Sequence, residues 1–551
     1  MSKRIIIVGG VAGGASCAAR LRRLDETAEI LLFERGEYIS FANCGLPYYI
    51  GGVIPKRENL LVQSEETMSK WFNLQIFSQT EVLSIAKDEK TVEVKDLRTG
   101  ESRTEKYDTL ILSPGAAPIV PPLPGIEEAK GRLFTLRNIA DVDAIKSFID
   151  TQAPKRVAVV GGGFIGMEMV ENLRHLQLEV HVVEATPQVM APFDPEMVSL
   201  IHAELQKNNV NLHLGTALER FENEGRHLLL SDGTSLDVDC TILAIGVRPE
   251  NSLIKNAGIA VGERGGILVD DQFKVIGAED IYAIGDAIQV RDLIFQEPAQ
   301  IPLAGPANRQ GRMLADILSG KDKHYKGTLG SSIVRVFSLT AASTGKNEKQ
   351  LKAMEVPYLS MHLYPANHAM YYPNGAQMSL KVLYAPEDGK IYGAQAIGAG
   401  NGIDKTIDII ATAIHAGLSV FELADLELCY APPFSTAKAP VNFAGYIAEN
   451  TANGEKYFDD ILKIDEMADD NIYILNVSTK KEHEKDHLPN ALNIPLHELR
   501  DHLDELPKDQ PIYVHCFIGL RGHIASRILQ NNGFDAINIA GGLKLYQQSK
   551  A

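Results

Sequence analysis

Two stretches of the 551-residue chain decide its fold, KRIIIVGGVAGG at residues 3–14 and RVAVVGGGFIGMEM at residues 156–169. Each is a short apolar run that ends in closely spaced glycines. A helical pattern follows, and then a second apolar run that ends in an acid, Glu34 in one case and Glu184 in the other. This order of strand, glycine turn, helix, strand and acid is typical of a βαβ unit that binds a dinucleotide. The chain is therefore predicted to be an α/β protein with two Rossmann-like nucleotide-binding domains.

The second loop matches the pattern G-x-G-x-x-G directly. Gly161 makes the tight turn, Gly163 lets the backbone approach a pyrophosphate, and Gly166 lets the helix pack closely on the strand. Glu184 lies 21 residues after Gly163, where its carboxylate can accept hydrogen bonds from both ribose hydroxyls. Residues 185–187 contain no Arg or Lys that could hold a 2′-phosphate. We therefore predict that this unit binds NADH rather than NADPH.

The first loop has Val11 where the second glycine is expected, although Glu34 restores the pattern. A later apolar strand ends in Gly285-Asp286, and an Asp in that position can accept hydrogen bonds from ribityl hydroxyls. This combination predicts FAD at the first loop. The alternative is that Asp286 only caps the next helix. The residues predicted to bind FAD are Gly9, Gly10, Ala12, Gly13, Gly14, Glu34, Arg35, Gly285 and Asp286.

The composition restricts the class of protein. Hydrophobic residues make up 45% and charged residues 23%, which describes a globular chain and excludes a mainly disordered or coiled-coil protein. The balance of 54 basic and 71 acidic residues gives −17, so nucleic acid is not an expected partner. No apolar run approaches the roughly 20 residues of a membrane helix. With five cysteines and a first strand that begins at Arg4, we expect no signal peptide and a cytoplasmic location.

Cys44 lies in the stretch SFANCGLP and has no second cysteine at a CxxC or CxxxxC spacing. Its oxidised form must therefore pair with a sulfur outside the chain, or become a sulfenic acid. Ser40 or Asn43 could cap a helix that begins near Cys44, and a helix N-terminus lowers the pKa of a thiol. The alternative, a small buried apolar side chain, fits Cys17 and Cys240 better because these lie in apolar segments.

Residues 1–450 resemble coenzyme A disulfide reductases and their single-cysteine flavoprotein relatives, the NADH peroxidases and oxidases. The motifs that carry the resemblance are the loop from Gly9, SFANCGLPYYI around Cys44, GGGFIGMEM from Gly161, YAIGDA around Asp286 and CYAPPFSTAK from Cys429. The resemblance implies that Cys44 forms a mixed disulfide with coenzyme A next to the flavin. It also implies a homodimer that associates through the C-terminal part of this region.

The same resemblance implies that tyrosines reach into the partner's site, where a phenol hydroxyl can donate to a departing thiolate. Tyr430 lies in the matching motif, Tyr372 is the second candidate, and Tyr371 remains open. The alternative for each is an interface aromatic. Ala12 replaces the histidine of the peroxidase branch, which argues against a peroxidase.

Coenzyme A is polyanionic, so a local basic patch is expected on this acidic chain. The resemblance implies that the coenzyme A channel is lined by Ser16, Arg20, Arg23, Ser40 and Asn43, with Lys438 added by the partner. Arg20 and Arg23 are three residues apart and share a helix face. The alternative is an arginine face that only contacts solvent.

A second α/β unit closes the chain. NIYILNV at residues 471–477 predicts a strand, and PIYVHC predicts another that ends at Cys516. Backbone N–H groups after Cys516, with Arg521 five residues on, would stabilise a thiolate or a persulfide anion. With Gly541-Gly542 near the end, the region resembles a single rhodanese domain, whose cysteine carries sulfane sulfur; a phosphatase loop is the alternative.

Two features of this unit depart from the usual rhodanese pattern. Asn476 stands where an Asp is usual, and Phe517-Ile518 stands where a basic or polar pair is usual. Both argue against thiosulfate transfer but not against the fold.

The motifs divide the chain into four domains and a linker. The expected bounds are 1–120 with 246–325 for FAD binding, 150–245 for NADH binding, 326–447 for an α+β dimerisation domain, 448–458 for a linker and 459–551 for the rhodanese domain.

This domain combination predicts an FAD-dependent NADH:persulfide or polysulfide reductase. Its substrates would be small sulfane-sulfur compounds, persulfides and disulfides, including coenzyme A persulfide and coenzyme A disulfide, and Cys516 would deliver or accept sulfane sulfur. The alternatives are a plain coenzyme A disulfide reductase with an accessory rhodanese domain, an NADH oxidase, and a redox sensor without turnover. No metal site and no membrane partner are expected.

Overall fold

The computed structural model describes residues 2–469 and 472–550. They form two compact units. The first comprises residues 2–187 and Val210–Gly330, and the second comprises Gln188–Asn209 and the described residues from Ser331 onwards.

The first unit contains two five-stranded parallel sheets. In the first of them, the strand Arg4–Val8 pairs with Glu29–Phe33 on one side and with Thr109–Leu112 on the other. After Arg4, its residues 5–8 are apolar without alternation, as expected where both faces of a parallel sheet are covered. The first glycine loop therefore begins where the strand order reverses, which is where open α/β sheets bind ligands. The strand order is Ile281–Ala283, Thr109–Leu112, Arg4–Val8, Glu29–Phe33 and Gln75–Phe77.

The second parallel sheet repeats this arrangement around the strand Arg156–Val160, which lies between Glu179–Glu184 and Cys240–Leu243. The second glycine loop thus also begins at a reversal of strand order. The strand order is Val210–Leu214, Glu179–Glu184, Arg156–Val160, Cys240–Leu243 and Leu133–Phe134.

Smaller antiparallel sheets and helices complete the first unit. The remaining strands are Thr80–Ala86, Thr91–Asp96, Ser102–Lys106, Ala116–Pro118, Leu218–Glu222, His227–Leu230, Ser235–Asp237, Val247–Pro249, Val290–Arg291 and Pro298–Ala299. The helices are Ala12–Leu24, Leu46–Ile50, Glu65–Phe72, Ile126–Ala129, Ile139–Gln152, Phe164–His175, Ser252–Asn256 and Ala304–Leu318.

The second unit contains a five-stranded antiparallel sheet with helices packed on it. The strand order is Ser332–Val336, Leu339–Gly345, Ile391–Ala399, Met378–Tyr384 and Leu359–Leu363. The helices of this part are Pro195–Lys207, Glu348–Ala353, Ile403–Ala416 and Pro440–Ala452. Within the expected NADH-binding range of residues 150–245, Gln188–Asn209 groups with this second unit.

A buried cluster of charges attaches the helix Pro195–Lys207 to the antiparallel sheet. Lys381 is fully buried, and its Nζ lies 2.9 Å from Asp194 Oδ2, 2.5 Å from Glu196 Oε1 and 2.5 Å from Glu348 Oε2. Asp194 is the residue that precedes the helix. The three carboxylates converge closely enough to hold a cation, and the Lys381 ammonium takes that place. Removing it would leave buried carboxylates without a counter-charge.

The second unit also contains the C-terminal α/β part, a five-stranded parallel sheet. The strand order is Tyr457–Phe458, Ala536–Ile539, Ile512–His515, Tyr473–Asn476 and Leu492–Asn493. The helices are Ile464–Asp469, Lys480–Lys485, Leu520–Asn531 and Gly542–Lys550. Within the predicted strand at residues 471–477, Asn471 lies outside the described residues, and the observed strand is Tyr473–Asn476.

The expected linker at residues 448–458 has regular structure at both ends. The helix Pro440–Ala452 runs into it, and Tyr457–Phe458 is the edge strand of the parallel sheet. Glu455 accepts a hydrogen bond from Tyr457 and lies 3.1 Å from His523 on the helix Leu520–Asn531. Polar contacts therefore join this segment to the helix that follows Cys516.

Among the described helices, none combines the length and the low polarity that crossing a lipid bilayer would require.

Candidate active site

The second glycine loop has the geometry that its spacing predicts. Gly161 has a φ of +108°, and a Cβ there would lie 2.4 Å from the carbonyl oxygen of Ala244. A Cβ on Gly166 would lie 2.0 Å from the carbonyl oxygen of Gly161, so the helix packs on the loop without room for a side chain. A Cβ on Gly163 would meet no atom within 4 Å. The space beside Gly163 is therefore open to a ligand, as a pyrophosphate site requires.

The first loop is built in the same way. Gly9 has a φ of +99°, and a Cβ on Gly14 would lie 1.9 Å from the carbonyl oxygen of Gly9. Ala12 is the first residue of the helix Ala12–Leu24, and Gly13 is buried against Ser113. Val11 in place of a glycine is thus compatible with the turn.

The two acids that end the second strands bond to the glycine loops. Glu34 Oε2 accepts a hydrogen bond from the N–H of Gly10 at 2.8 Å, and Glu184 Oε2 accepts one from the N–H of Gly162 at 2.7 Å. The other oxygen of Glu184 accepts from the N–H and the hydroxyl of Thr186, each at 2.8 Å. These bonds hold both carboxylates at the edge of the loops, where the ribose of a dinucleotide is expected.

The helices that follow the loops fit phosphate groups. The N-cap residues of the helices Ala12–Leu24 and Phe164–His175 are Val11 and Gly163. Within the described residues, no side chain at either N-cap position accepts a hydrogen bond from a backbone N–H of its helix. Their first N–H groups are therefore available to an anion, and the helix dipole favours one. The residues present fit FAD at the first loop and NADH at the second.

Replacing Gly163 with alanine is expected to weaken NADH binding at least about tenfold without affecting the fold, because the added methyl enters the space that a pyrophosphate would use. Replacing Gly166 instead should destabilise the fold, since its Cβ would collide with backbone. Titration with NADH and thermal unfolding of both variants check this. Equal losses of stability in the two variants would contradict it.

Cys44 lies in the turn Asn43–Gly45, directly before the helix Leu46–Ile50. Its thiol is free and exposed. The prediction that Ser40 or Asn43 caps a helix here is wrong, because the N-cap positions are Ala42 and Gly45 and neither provides a side-chain cap. Asn43 instead donates to the carbonyl of Arg137 at 3.4 Å, and Ser40 has a φ of +46° and donates its N–H to the carbonyl of Gly10.

The pKa of the Cys44 thiol is raised rather than lowered. Partial burial raises it most, and the negative charges of Glu168 and Asp286 raise it further, while Arg137 lowers it. Burial first, and the two carboxylates second, therefore act against the thiolate form of Cys44. A neighbouring cation or a protonated carboxyl is needed to favour the thiolate.

Sequence reasoning did not identify Glu168, Tyr48 or Arg137 as neighbours of Cys44. Tyr48 donates to Glu168 Oε1 at 3.1 Å, and burial raises the pKa of the Glu168 carboxyl to about 7. Glu168 lies in the quoted glycine motif, where an acid between two buried methionines is a signal that was available.

Asp286 faces the same site and does not cap a helix. Arg137 Nη2 lies 4.0 Å from Asp286 Oδ2, and burial raises the pKa of Asp286. The N–H of Gly285 donates to Gln310 at 2.7 Å. Arg35, also predicted to bind FAD, lies 3.4 Å from Glu250 and is exposed.

The residues predicted to line a coenzyme A channel have several contacts within the chain. Arg20 donates twice to Asp316, and the same carboxylate lies 3.0 Å from Lys321 and 2.6 Å from Lys323. Arg20, Lys321 and Lys323 thus share one buried carboxylate, and a local group of cations of this kind can attract an anionic ligand. Ser16 donates to Asn308 at 2.5 Å.

Arg23 and Lys438 are both exposed, in the first and the second unit respectively. The Arg23 guanidinium lies 5.7 Å from the centre of the Phe72 ring, so Arg20 and Arg23 have different partners.

Tyr430 pairs with Tyr371 rather than with Tyr372. The hydroxyls of Tyr371 and Tyr430 lie 3.1 Å apart, whereas Tyr372 makes an edge contact with the His368 ring. All three tyrosines are exposed. This geometry favours Tyr371 over Tyr372 as the partner of Tyr430.

Cys516 lies at the end of the strand Ile512–His515, and its side chain is buried. Gly519 has a φ of +90°, and the carbonyls of Cys516 and Phe517 accept hydrogen bonds from the first N–H groups of the helix Gly542–Lys550 at 3.0 and 2.9 Å. A Cβ on Gly542 would lie 2.3 Å from the Cys516 carbonyl oxygen, which explains the glycine pair. A loop whose carbonyls are bonded elsewhere can direct its N–H groups towards an anion.

Three family models match successive segments of the chain. The family model described as pyridine nucleotide-disulphide oxidoreductase matches residues 3–311, more than half of the chain. The chain belongs to the pyridine nucleotide-disulphide oxidoreductase family. The model of this family's dimerisation domain matches residues 331–440, and a rhodanese-like domain matches residues 462–549.

Individual members of the pyridine nucleotide-disulphide oxidoreductase family are also similar. A coenzyme A disulfide reductase from Staphylococcus haemolyticus is 35% identical over 450 residues, which are 81% of this chain and 100% of the relative. The structure of reduced CoADR-RHD from Bacillus anthracis is 51% identical, with a TM-score of 0.98, and the match covers 100% of this chain and 98% of that one. An NAD-dependent persulfide reductase from A. fulgidus is 33% identical, with a TM-score of 0.91, covering 98% and 100%.

These similarities confirm the stated resemblance and the predicted fold class, two Rossmann-like domains, an α+β dimerisation domain and a rhodanese domain. They also confirm that the chain is an oxidoreductase of the pyridine nucleotide-disulphide oxidoreductase family.

Proposed function

We propose that this protein is an FAD-dependent NADH:persulfide and disulfide reductase, with coenzyme A persulfide and coenzyme A disulfide among its substrates. The observation that carries the proposal is the exposed, unpaired Cys44 in a unit that has two dinucleotide loops, combined with a second cysteine, Cys516, in a rhodanese-like domain. The names of the similar reductases support the same substrate class.

The two glycine loops and three carboxylates would bind the cofactors. Gly9, Gly14, Glu34 and Asp286 would hold FAD, and Gly161, Gly163, Gly166 and Glu184 would hold NADH. When bound, these cofactors supply the electrons that cleave a sulfur–sulfur bond.

Cys44 performs the sulfur chemistry in this proposal. Its thiolate attacks one sulfur of a disulfide, and the other half leaves as a thiolate, or it attacks the inner sulfur of a persulfide, and hydrosulfide leaves; in both cases a mixed disulfide forms on Cys44. Because Glu168 raises the pKa of Cys44, protonation of this carboxyl favours the attacking thiolate. The positive charge around Arg20 attracts an anionic carrier such as coenzyme A, and Tyr430 with Tyr371 donates to a departing thiolate.

The assembly and the domain division belong to the same proposal. The dimerisation domain supports a homodimer, in which Tyr430, Tyr371 and Lys438 would serve the partner's Cys44. The proposed domains are 1–120 with 246–325 for FAD binding, 150–245 for NADH binding, 326–447 for dimerisation, 448–458 as a linker and 459–551 as the rhodanese domain. The need of Cys44 and Cys516 for free thiols favours a reducing compartment such as the cytoplasm.

Mass spectrometry of the purified protein is expected to find coenzyme A attached to Cys44. NADH consumption with coenzyme A persulfide and with coenzyme A disulfide then measures the substrate preference, and faster turnover of the persulfide supports the proposal. Faster turnover of the disulfide, with no effect of losing Cys516, would support a plain disulfide reductase. Oxygen consumption without added sulfur would reveal an NADH oxidase.

A further inference from the structure

The arginine of the Cys516 loop is bound to a carboxylate. Arg521 donates from Nη1 to Glu482 Oε2 at 2.7 Å and from Nη2 to Glu482 Oε1 at 2.8 Å. The hydrogen bond with Glu482 is also the main cause that raises the pKa of Arg521, and the nearby Cys516 sulfur contributes. This two-point contact with a carboxylate is the strong form of an arginine ion pair. The positive charge next to the sulfur is therefore largely neutralised.

The loop itself and two nearby histidines do not add positive charge. FIGLRG at residues 517–522 contains one basic residue, Arg521. Burial lowers the pKa of His515 to about 3, and it also lowers the pKa of His483, so both imidazoles are neutral at pH 7. A doubly charged donor would thus approach a loop whose one guanidinium group is already paired with a carboxylate.

Apolar side chains are exposed beside the loop. Phe517, Leu520 and Ile524 are 42%, 60% and 41% exposed. Leu520 and Ile524 are four residues apart on the helix Leu520–Asn531, so they share a face. An exposed apolar rim of this kind favours contact with an uncharged, partly apolar ligand.

We propose that Glu482 is a specificity-determining residue, which neutralises Arg521 so that Cys516 accepts sulfur from persulfides borne on an uncharged arm and discriminates against thiosulfate. The inference rests on the proposed function, because it names the donor class for the rhodanese cysteine. Glu482 acts through Arg521 and does not contact the reacting sulfur itself.

The transfer step balances without a further reactant. The Cys516 thiolate attacks the outer sulfur of a persulfide R–S–SH, and a bond forms between Cys516 Sγ and that sulfur. The original S–S bond breaks, and R–S⁻ leaves with its electron pair. The proton stays on the transferred sulfur, so Cys516 becomes a neutral persulfide. Thiosulfate would instead bring two negative charges to the loop and release sulfite.

The test compares two donors, thiosulfate and the persulfide of N-acetylcysteamine, whose arm carries no charge. The full-length holoprotein is mixed with each donor without NADH, and the gain of one sulfur atom on Cys516 is followed by mass spectrometry. In Glu482→Gln, the rate with thiosulfate relative to the neutral persulfide is expected to rise about tenfold, because one negative charge near the sulfur is removed.

Glu484→Gln is the matched control, because it removes the same charge from the same helix, Lys480–Lys485, without a contact to Arg521 among the described hydrogen bonds. It should leave the ratio unchanged. An equal rise in Glu484→Gln, or an unchanged ratio in Glu482→Gln, would overturn the proposal, and so would a wild-type protein that neither donor loads.

A second variant covers the case in which Glu482→Gln does not fold. Phe517→Ser changes an exposed side chain. It should slow the loading of Cys516 by the persulfide of N-acetylcysteamine and leave the rate of loading by thiosulfate unchanged. Unchanged rates with both donors would contradict the proposed contact of the apolar rim with the donor. Because loading is measured without NADH, it does not depend on Cys44. If the wild-type protein shows no NADH-dependent turnover but the ratio of the two loading rates changes in Glu482→Gln as expected, the proposed function is refuted and the role of Glu482 is supported.

Discussion

Replacing Cys44 with serine is expected to lower NADH-dependent turnover of disulfides and persulfides by more than about a thousandfold. A serine hydroxyl cannot form the sulfur–sulfur bond on which the proposed reaction depends. The glycine loops and the acids Glu34 and Glu184 lie apart from this substitution in sequence and keep their hydrogen bonds. NADH should therefore still reduce the bound flavin in a stopped-flow experiment, while steady-state NADH consumption with substrate is lost.

Two other cysteines provide the controls for this result. Cys429 is also exposed, and Cys429→Ser should turn over disulfide substrates normally. Cys516→Ser should lose sulfur transfer from persulfide donors on the rhodanese domain but keep the reduction of small polysulfides. Full turnover in Cys44→Ser would refute the role of Cys44, and equal loss of both activities in Cys516→Ser would refute separate roles for the two cysteines.

Replacing Lys381 with methionine is expected to destabilise the second unit by about 3–5 kcal/mol at pH 7. The substitution leaves Asp194, Glu196 and Glu348 close together without the buried ammonium group that lies within 2.9 Å of each. Hydrogen exchange of peptides from residues 195–207 and 378–384 measures the effect locally, which is necessary because a chain of several domains does not unfold in one step.

The effect of Lys381→Met should depend on pH. Burial acts to raise the pKa of Glu348, but Lys381 and hydrogen bonds from Lys352, Lys381 and Tyr358 lower it to about 2. The charge of Lys381 and the bonds of His362 likewise hold the pKa of Glu196 well below its usual range, despite burial. Carboxyls with lowered pKa values stabilise the fold above their unfolded pKa, and this contribution is lost as the pH falls towards the folded value. The wild type and the variant should therefore become more similar in stability below about pH 4.

Lys352→Met is the matched control for this prediction. Lys352 lies 2.8 Å from the same acid, Glu348, but its side chain is 66% exposed. An exposed ion pair contributes little, so its loss should change stability by less than about 1 kcal/mol. Similar losses in Lys352→Met and Lys381→Met would show that burial of the charge cluster is not the cause.

The parts of the site that sequence predicted are those encoded by local spacing. The turns at Gly9 and Gly161 and the acids Glu34 and Glu184 follow from backbone requirements within one βαβ unit. The rhodanese loop at Cys516 is local in the same sense. The carbonyls of Cys516 and Phe517 accept hydrogen bonds from the helix Gly542–Lys550. The glycine pair at the start of this helix is visible in the sequence.

The parts that sequence missed depend on contacts between distant segments. Glu168 lies more than a hundred residues from Cys44, and the two are neighbours only because the helices Leu46–Ile50 and Phe164–His175 pack together. The predicted direction of the Cys44 pKa shift was wrong because burial raises this pKa most and the carboxylates of Glu168 and Asp286 raise it further, and neither cause is visible in the local sequence. The pairing of Arg521 with Glu482, 39 residues earlier, was hidden in the same way.

The edge strand Tyr457–Phe458 limits where the C-terminal part can be separated from the rest of the chain. It pairs in parallel with Ala536–Ile539, so a gene fragment that begins at residue 459 would lack this partner. The exposed backbone groups of Ala536–Ile539 would then be free to pair with another molecule, which promotes aggregation. A fragment that begins a few residues earlier, at Glu455, would retain both the covering strand and the contact with His523.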